Sequence, residues 1–329
     1  MCYHLWSKYT AIAMGGEMTS EHPTYIWMNG EFIPWEEAKL HVTTAAVQTG
    51  SRVFEGMRAY WNDSQEQLYI FKMEEHLRRL AQSMKMMRMN LDFSLEEIRQ
   101  ALVDVLVKND LREDVHLSPS VYFGVGQGFF SYKPGTVDVG AYVIAGARKS
   151  ILGTGEGIHV CVSSWTRISD RDVPPRIKAS ANYQNGRLAA VQAAEDGYDD
   201  AILLNELGKV AEAPAACVFL VRDGTALTPP VTGGILESIT RTTLIQLLEE
   251  QMSVPVVERE VDRTELYIAD EVFMCGSALE ATPIFSVDRF PVGAGQIGPV
   301  TTQLQKEYEN VVRGKNPNYS DWLLPVYGS

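Results

Sequence analysis

Apolar residues recur along the chain with two periods, one typical of strands and the other typical of helices. Apolar positions 25–28 and 31–34 flank Asn29-Gly30, a residue pair that strongly favours a hairpin turn. The segment 94–108 opens with Ser94-Leu95-Glu96-Glu97, a capping box that predicts a helix start. The same criteria predict further strands at 56–61, 68–71, 116–124, 139–145, 158–164, 201–205, 216–221 and 272–275, and further helices at 73–87, 181–196, 238–252 and 303–312.

A small, polar, glycine-bearing stretch that begins at Gly146 divides these elements into two groups. We take residues 148–155 as a linker between a small N-terminal domain at 23–147 and a larger C-terminal domain at 156–329. Both groups mix helices and strands, so the predicted fold class is α+β with two domains. The folded pattern begins near Pro23, and residues 1–22 are expected to be a flexible extension or an over-long start.

Composition excludes several classes of function. The chain has 329 residues and a net charge of −13, so it lacks the basic surplus that broad binding of nucleic acid or an anionic membrane requires. No apolar run reaches the length of a transmembrane helix. The histidines are scattered and no His-Glu-x-x-His pattern occurs, so no metal site is predicted. No pair of the four cysteines has C-x-x-C spacing, which indicates neither a zinc knuckle nor a disulfide framework and favours a cytoplasmic protein.

Lys178 is the strongest candidate for chemistry. It lies just before a predicted amphipathic helix, between the apolar residues Ile177 and Ala179. Burial favours the neutral form of a lysine, and only the neutral amine can attack a carbonyl carbon. The alternative on local sequence alone is an ordinary surface lysine.

Two later segments fit Lys178 chemically. Glu212 lies in an otherwise uncharged stretch, 210–220, that is predicted to be a strand. A carboxylate there could pair with a cationic ring; the alternative is that it faces water. Ser238 is a natural N-cap, so the free backbone N–H groups of Ile239 and Thr240 could hold a phosphate, although most helix starts bind none. An amine, a carboxylate and a phosphate-binding helix start are together what pyridoxal phosphate (PLP) needs.

A glycine-rich stretch, Gly124-x-Gly126-x-Gly128, superficially suggests nucleotide binding. It continues into Phe129-Phe130-Ser131-Tyr132 and not into a helix start, so it lacks the context of a dinucleotide-binding fingerprint.

Several longer motifs follow one another along the chain. They are Tyr25-Ile26-Trp27-Met28-Asn29-Gly30, Val53-Phe54-Glu55-Gly56-Met57-Arg58, His76-Leu77-Arg78-Arg79-Leu80, Val162-Ser163-Ser164-Trp165, Lys178-x4-Tyr183, Gly224-x3-Thr228-Pro229-Pro230, Ile239-Thr240-Arg241, 266–273 and 295–301. With these motifs the chain resembles the class IV aminotransferases, the fold-type-IV PLP enzymes, and among them most closely the branched-chain amino acid aminotransferases. The resemblance covers about Tyr25 to Trp322.

The resemblance implies a two-domain fold with PLP in the cleft between the domains, and a homodimer. It implies that Lys178 is the Schiff-base lysine and carries the proton between the substrate Cα and the cofactor. It also implies that Tyr183 donates a hydrogen bond to the PLP phenolate oxygen and that Glu212 pairs with the pyridine nitrogen. The phosphate would be bound by Arg79, the amides of Ile239 and Thr240 and the hydroxyl of Ser277. The Ser277-Ala278 turn would offer backbone donors to a substrate carboxylate.

The chain departs from the branched-chain pattern at positions that contact substrate in the family. Thr49 stands where tyrosine is usual, His116-Leu117-Ser118 replaces a Tyr-x-Arg pair, and Ala213 to Cys217 replaces a glycine-rich turn. Arg52 and Arg148 stand at positions that usually carry no charge. We hypothesise that Arg52, Arg148 or both bind a carboxylate in a remodelled pocket; the alternative is that both face solvent. The substrate-binding residues predicted on this basis are Thr49, Arg52, Phe54, Gly56, His116, Ser118, Arg148 and Ala278.

The predicted function is that of a PLP-dependent aminotransferase with a ping-pong cycle, with branched-chain amino acids and 2-oxoglutarate as the default substrates. A D-amino acid or (R)-amine transaminase, an enzyme for a specialised keto acid, and a lyase similar to aminodeoxychorismate lyase are alternatives with the same fold. A non-catalytic relative is disfavoured because Lys178, Tyr183, Glu212 and Arg79 are all present.

Overall fold

The computed structural model describes residues 22–127 and 135–328. The predictions for residues 1–21 and for Gly128 to Tyr132 therefore lie outside the described residues. In the described part of the chain, the helices are α1 (Ala45–Thr49), α2 (Met73–Met87), α3 (Leu95–Lys108), α4 (Tyr183–Glu195), α5 (Ile239–Glu250) and α6 (Pro299–Val312). The strands are β1 (Tyr25–Met28), β2 (Glu31–Pro34), β3 (Arg52–Phe54), β4 (Met57–Asn62), β5 (Gln67–Phe71), β6 (Val115–Gly126), β7 (Val137–Ala147), β8 (Ile158–Thr166), β9 (Asp200–Leu204), β10 (Cys217–Arg222), β11 (Thr225–Thr228), β12 (Val256–Glu258), β13 (Glu271–Gly276), β14 (Glu280–Val287), β15 (Phe290–Pro291) and β16 (Leu323–Pro325).

The chain separates into two compact units. The N-terminal unit consists of three stretches: the described chain up to Lys149, Ile177–Ala181, and the chain from Val312 onward. The C-terminal unit consists of Ser150–Arg176 and Asn182–Val311. The break between Lys149 and Ser150 falls inside the predicted linker. The predicted range 156–329 differs from the C-terminal unit at two places, because β16 pairs with β5 and Ala179 pairs with Val53. That the units are independent domains stays a prediction.

The N-terminal unit is built on an antiparallel sheet with the strand order β16-β5-β4-β6-β7-β1-β2, in which β3 also pairs with β6. Apolar residues of α2 and α3 join those of the sheet in one core, because Leu77 and Leu80 recur at helical spacing and Val115 and Leu117 at strand spacing. The predicted capping box of α3 is confirmed, since Ser94 and Glu97 exchange hydrogen bonds at the helix start.

The C-terminal unit contains a mixed sheet with the strand order β12-β11-β10-β13-β14-β8-β9, in which β15 also pairs with β14. The neighbours β8 and β9 run parallel, as do β8 and β14. The carboxylate of Glu271 accepts hydrogen bonds from the backbone N–H groups of Val300 and Thr301 and so caps α6. This capping explains why α6 begins at Pro299, before the predicted start at 303.

The fold class predicted from the sequence, α+β, is confirmed by both sheets and their helices. The predicted strand over 210–220 is wrong in its first half, because β10 begins only at Cys217. Pro214 lies in the intervening bend, and a proline cannot donate to the hydrogen-bond ladder of a sheet. We name residues 212–217 the carboxylate turn, after Glu212. No helix in residues 22–127 or 135–328 is both long enough and apolar enough to cross a membrane.

Helix α4 passes very close to the carboxylate turn at Gly186. A Cβ atom at Gly186 would lie 2.6 Å from the carbonyl oxygen and 2.8 Å from the Cα of Pro214. Backbone atoms cannot rotate away as a flexible side chain can, so only glycine fits at this position.

We predict that Gly186→Ala lowers the free energy of unfolding by about 1–3 kcal/mol, because the added methyl group overpacks the contact. Helix propensity alone would predict the opposite, a gain of up to about 1 kcal/mol. Urea unfolding of both proteins measures the difference. Gly146→Ala is the matched control, since a Cβ there would meet nothing within 4 Å. A Gly186→Ala protein as stable as the parent would contradict the close approach.

Candidate active site

Lys178 is held in place by its own backbone. Its N–H group donates to Ser83 Oγ (3.2 Å), and its carbonyl oxygen accepts from the N–H group of Phe54 (3.0 Å). Val53 and Ala179 form an antiparallel bridge, which places Lys178 opposite Phe54 and Ser180 opposite Arg52. The Lys178 side chain is partly buried, with Nζ 4.8 Å from the centroid of the Phe54 ring.

Strand register gathers four of the eight predicted substrate residues on one face of the N-terminal sheet. Directly opposite residues of antiparallel strands point to the same face. Phe54 lies opposite Ser120, and His116 lies opposite both Arg58 and Gly146. Arg52, Phe54, His116 and Ser118 therefore share this face with Arg58 and Tyr142. The apolar residues that alternate with them, such as Val53 and Leu117, point into the core.

Glu55 is fully buried and binds two basic side chains. Its carboxylate accepts from Arg79 Nε (2.8 Å) and Nη2 (2.6 Å), and from His76 Nδ1 (2.7 Å). Burial raises the pKa of Glu55, but the charge and hydrogen bonds of Arg79 and the hydrogen bond of His76 outweigh it and lower the pKa to about 2. Because a carboxylate only accepts, His76 carries its hydrogen on Nδ1. Glu55 thereby fixes the direction of the Arg79 guanidinium.

His116 is enclosed by cations. Burial lowers its pKa to about 3, and the positive charges of Arg148, Arg58 and Lys178 act in the same direction. The ring lies over Gly56, where an added Cβ would approach Cε1 to 3.1 Å. The buried Nδ1 atom of His116 makes no hydrogen bond to any residue that the structure describes. His116 therefore presents a neutral ring on the face that it shares with Phe54.

Arg52 and Thr49 have different surroundings. Arg52 is partly buried, and it donates from Nε to Ser180 Oγ (2.8 Å) and from Nη1 to Tyr142 Oη (2.5 Å). This geometry is not that of a solvent-facing arginine. Thr49 is exposed at the end of α1, where it donates to the carbonyl oxygen of Ala45 and shares a hydrogen bond with Ser51 Oγ. Neither contact joins Thr49 to Arg52 or His116.

Glu212 is buried at the start of the carboxylate turn. Its Oε1 atom forms an ion pair with Arg167 Nη2 at 2.5 Å, and Oε2 accepts from the backbone N–H of Leu236 at 3.1 Å. The alternative of a glutamate facing water is therefore wrong. A buried carboxylate needs a compensating charge or donors, and Arg167 with Leu236 supplies both.

The start of α5 offers free donors. The Ser238 hydroxyl accepts from the N–H group of Arg241 (3.2 Å), which confirms Ser238 as the N-cap. The N–H groups of Ile239 and Thr240 precede the first intrahelical hydrogen bond, so they have no acceptor within the helix. Arg241 is not available to a ligand at this end, because it is buried and pairs with Glu258.

The Ser277-Ala278 turn joins β13 to β14 and is closed by a hydrogen bond from Leu279 N–H to the Gly276 carbonyl oxygen (3.1 Å). Glu280 follows the turn with a left-handed φ of +50° and is fully buried. Its carboxylate accepts from Ser150 Oγ (2.9 Å) and from Ile151 N–H (2.7 Å). The predicted linker is therefore anchored to the base of this turn.

The carboxylate turn is the centre around which the predicted residues of the C-terminal unit gather. It touches α4, which begins at Tyr183, through the contact of Pro214 with Gly186. A Cβ at Gly276, next to Ser277, would lie 3.4 Å from the carbonyl oxygen of Ala215. The hydrogen bond from Leu236 to Glu212 ties the turn to the segment that leads into α5. Tyr183, Glu212, Ile239, Thr240, Ser277 and Ala278 are thus grouped in one unit.

Sequence reasoning assigned no role to Glu55, His76, Tyr142 and Arg167. Glu55 and His76 stand inside motifs that carried the resemblance. For Glu55 the available signal was a charged residue between the apolar residues Phe54 and Met57. Arg167 directly follows β8, but nothing local distinguishes it from a surface arginine. In the described ranges, no three His, Cys, Asp or Glu side chains group so that they could hold a metal ion.

Comparison with known proteins gives a consistent result. Residues 52–287 match the family model described as "Amino-transferase class IV". A "Probable branched-chain-amino-acid aminotransferase" of Aquifex aeolicus is 42% identical over 306 residues, which cover 92% of this chain and 97% of that protein. The crystal structure of a branched-chain amino acid aminotransferase from Thermobaculum terrenum "in PLP-form (holo-form)" is 46% identical, with a TM-score of 0.89 over 94% of this chain and 100% of that one. The branched-chain aminotransferase of the archaeon Thermoproteus uzoniensis, solved with norvaline, is 37% identical, with a TM-score of 0.87 over 93% of this chain and 100% of that one.

The environment of His116 predicts a dependence of stability on pH. The folded chain binds a proton at His116 only near pH 3, whereas an unfolded histidine binds one at about pH 6.5. Between these values the unfolded state holds more protons, so stability falls as the pH is lowered through the window. His116→Gln removes this contribution. Its free energy of unfolding should therefore fall by about 1–2 kcal/mol less than that of the parent between about pH 7 and about pH 5.

Urea unfolding at the two pH values measures the effect, with His41→Gln at the exposed His41 as the control. An unchanged pH dependence in the His116→Gln protein would contradict a His116 that stays neutral in the folded chain.

Proposed function

The chain belongs to the class IV aminotransferase family and is therefore a transaminase, and we propose that it uses PLP to move an amino group from an amino acid to a 2-oxo acid. The observation that carries this proposal is the partly buried side chain of Lys178, whose backbone is held by Ser83 and Phe54. The bound PLP supplies a carbonyl group that accepts the amino group, and a cationic ring that withdraws electrons from the substrate Cα. A single amine, that of Lys178, serves both halves of the reaction. The donor and the acceptor use the same site one after the other, which is a ping-pong cycle.

The C-terminal unit fits the two polar ends of the cofactor. Glu212 would face the pyridine nitrogen, and its ion pair with Arg167 keeps a carboxylate there that favours a protonated ring. Tyr183 would donate to the phenolate oxygen. The N–H groups of Ile239 and Thr240 would hold the phosphate, since a helix start carries both free donors and a positive partial charge.

Further phosphate contacts would come from the hydroxyl of Ser277 and the guanidinium of Arg79. Glu55 holds Arg79 by two parallel hydrogen bonds, which fixes the plane of the guanidinium before a phosphate binds. The cost of ordering a long side chain is thus met during folding and not during cofactor binding.

We assign the proton transfer to Lys178. Lys178 would hold the cofactor through its amine. The same amine, when free and neutral, would take the proton from the substrate Cα and return it on the cofactor side.

The pocket is proposed to take an L-branched-chain amino acid as donor, in line with the relatives named above, and 2-oxoglutarate as acceptor. The neutral ring of His116 lies over Gly56 and with Phe54 makes an uncharged wall that suits an aliphatic side chain. Ser118 and Arg148 complete the proposed pocket. The Ser277-Ala278 turn would bind the substrate α-carboxylate through its backbone N–H groups.

A panel of amino donors tests this function. Each donor is added to the holoenzyme without an acceptor, and the absorbance of the cofactor is followed as it takes up the amino group. L-leucine, L-valine, L-isoleucine and L-glutamate should change the spectrum. Lys178→Ala should slow that change by roughly a hundredfold to ten-thousandfold, because the proton carrier is lost.

Lys209→Ala is the matched control, because Lys209 pairs with Asp262 on the surface of the C-terminal unit. If Lys178→Ala reacts as fast as the parent, the proposed mechanism is wrong. A response confined to D-amino acids or (R)-amines would instead overturn the assignment of the donor.

A further inference from the structure

Arg52 is a partly buried cation whose described hydrogen-bond partners are all neutral. Its guanidinium has five N–H groups, and two of them donate to the neutral oxygens Ser180 Oγ and Tyr142 Oη. No acidic side chain forms an ion pair with Arg52 among the residues that the structure describes. A partly buried cation without a counter-ion is costly for a folded chain unless an anion occupies the site at some stage.

The strand pairing places this cation beside the reactive amine. Arg52 lies opposite Ser180 and Phe54 lies opposite Lys178, so all four side chains share one face. Arg52 Cζ lies 4.7 Å and Lys178 Nζ lies 4.8 Å from the centroid of the same Phe54 ring. Arg52 is thus a neighbour of the amine, offset along the paired strands.

Each hydroxyl group that contacts Arg52 keeps a hydrogen that it can donate to a ligand. Ser180 Oγ and Tyr142 Oη each accept from the guanidinium, so each hydroxyl hydrogen points elsewhere and can be donated. Ser120 lies on the same face, opposite both Phe54 and Tyr142, and its buried hydroxyl has no hydrogen-bond partner among the described residues. A guanidinium with several hydroxyl donors matches a planar anion with several acceptor oxygens, which is a carboxylate.

We propose that Arg52, Tyr142 and Ser180 form a subsite for the second carboxylate of a dicarboxylic amino acid or 2-oxo acid. The proposal rests on the transaminase function stated above. Arg52 and Lys178 are diagonal neighbours on the paired strands, an arrangement that separates residue positions by about 7–8 Å. A carboxylate at the far end of the substrate spans that offset, and Arg52 therefore selects the dicarboxylic acceptor.

The kinetic test compares two acceptors that differ in the second carboxylate, 2-oxoglutarate and pyruvate. Arg52→Ala should lower the ratio of kcat/KM for 2-oxoglutarate to kcat/KM for pyruvate by about tenfold to a hundredfold, as expected for a charge-assisted hydrogen bond. Arg52→Lys keeps the charge but not the planar fork and should fall between Ala and the parent. Arg112→Ala is the matched control, since Arg112 is an exposed arginine that pairs with Asp110.

A binding test separates this proposal from the proposed function, because it needs no turnover. Glutarate and pentanoate differ in one carboxylate and cannot react. Glutarate should raise the thermal midpoint of the parent protein more than pentanoate does, and Arg52→Ala should abolish the difference. Tyr142→Phe should reduce it, and this variant serves if Arg52→Ala does not fold.

An unchanged acceptor ratio, or an equal loss of kcat/KM for both acceptors, would overturn the subsite, as would equal midpoint shifts from glutarate and pentanoate in the parent. If the parent transaminates nothing, the proposed function fails, and the glutarate comparison still decides whether the subsite exists.

Discussion

The pairing of β3 with the short segment Ile177–Ala181 is the interaction on which the rest of the site depends. A single bridge, Val53 to Ala179, with the hydrogen bond from Phe54 N–H to the Lys178 carbonyl oxygen, sets the register. Because side chains alternate along a strand, that register decides which groups face Lys178. A shift by one residue would turn Arg52 and Phe54 into the core and expose Val53, and the hydrophobic cost of that exchange holds the register in place.

Charge is distributed unevenly over this acidic chain. The chain carries a net charge of −13, yet Arg58, Arg148 and Lys178 all act on His116 on one sheet face. Glu55 is the buried anion that pairs with His76 and Arg79 beneath them. Such a local excess of positive charge raises the concentration of anions at the site, which suits a phosphorylated cofactor and carboxylate substrates. Lowered pKa values keep His76 and His116 neutral, so neither adds to the repulsion.

The elements that the sequence predicted well are those that local physics determines. The capping box at Ser94, the hairpin at Asn29-Gly30 and the N-cap Ser238 each need only neighbouring residues. Strand β3 has three residues, and the pairing of β16 with β5 joins distant parts of the chain, so neither leaves a periodic local pattern. The same limit hid Arg167 as the partner of Glu212. The family motifs supplied Lys178, Arg79 and Tyr183, but the tie of Arg52 to Tyr142 and Ser180 depends on register and needed the structure.

Covalent trapping of the cofactor tests the central claim, that Lys178 is the amine at which the chemistry takes place. The holoenzyme is reduced with borohydride, which makes the bond between PLP and its lysine permanent, and is then digested and mapped by mass spectrometry. We expect the mass of the reduced cofactor on the peptide that contains Lys178, and on no other lysine. Cofactor attached to a different lysine, or an unmodified Lys178 in a protein that carries the cofactor, would contradict it.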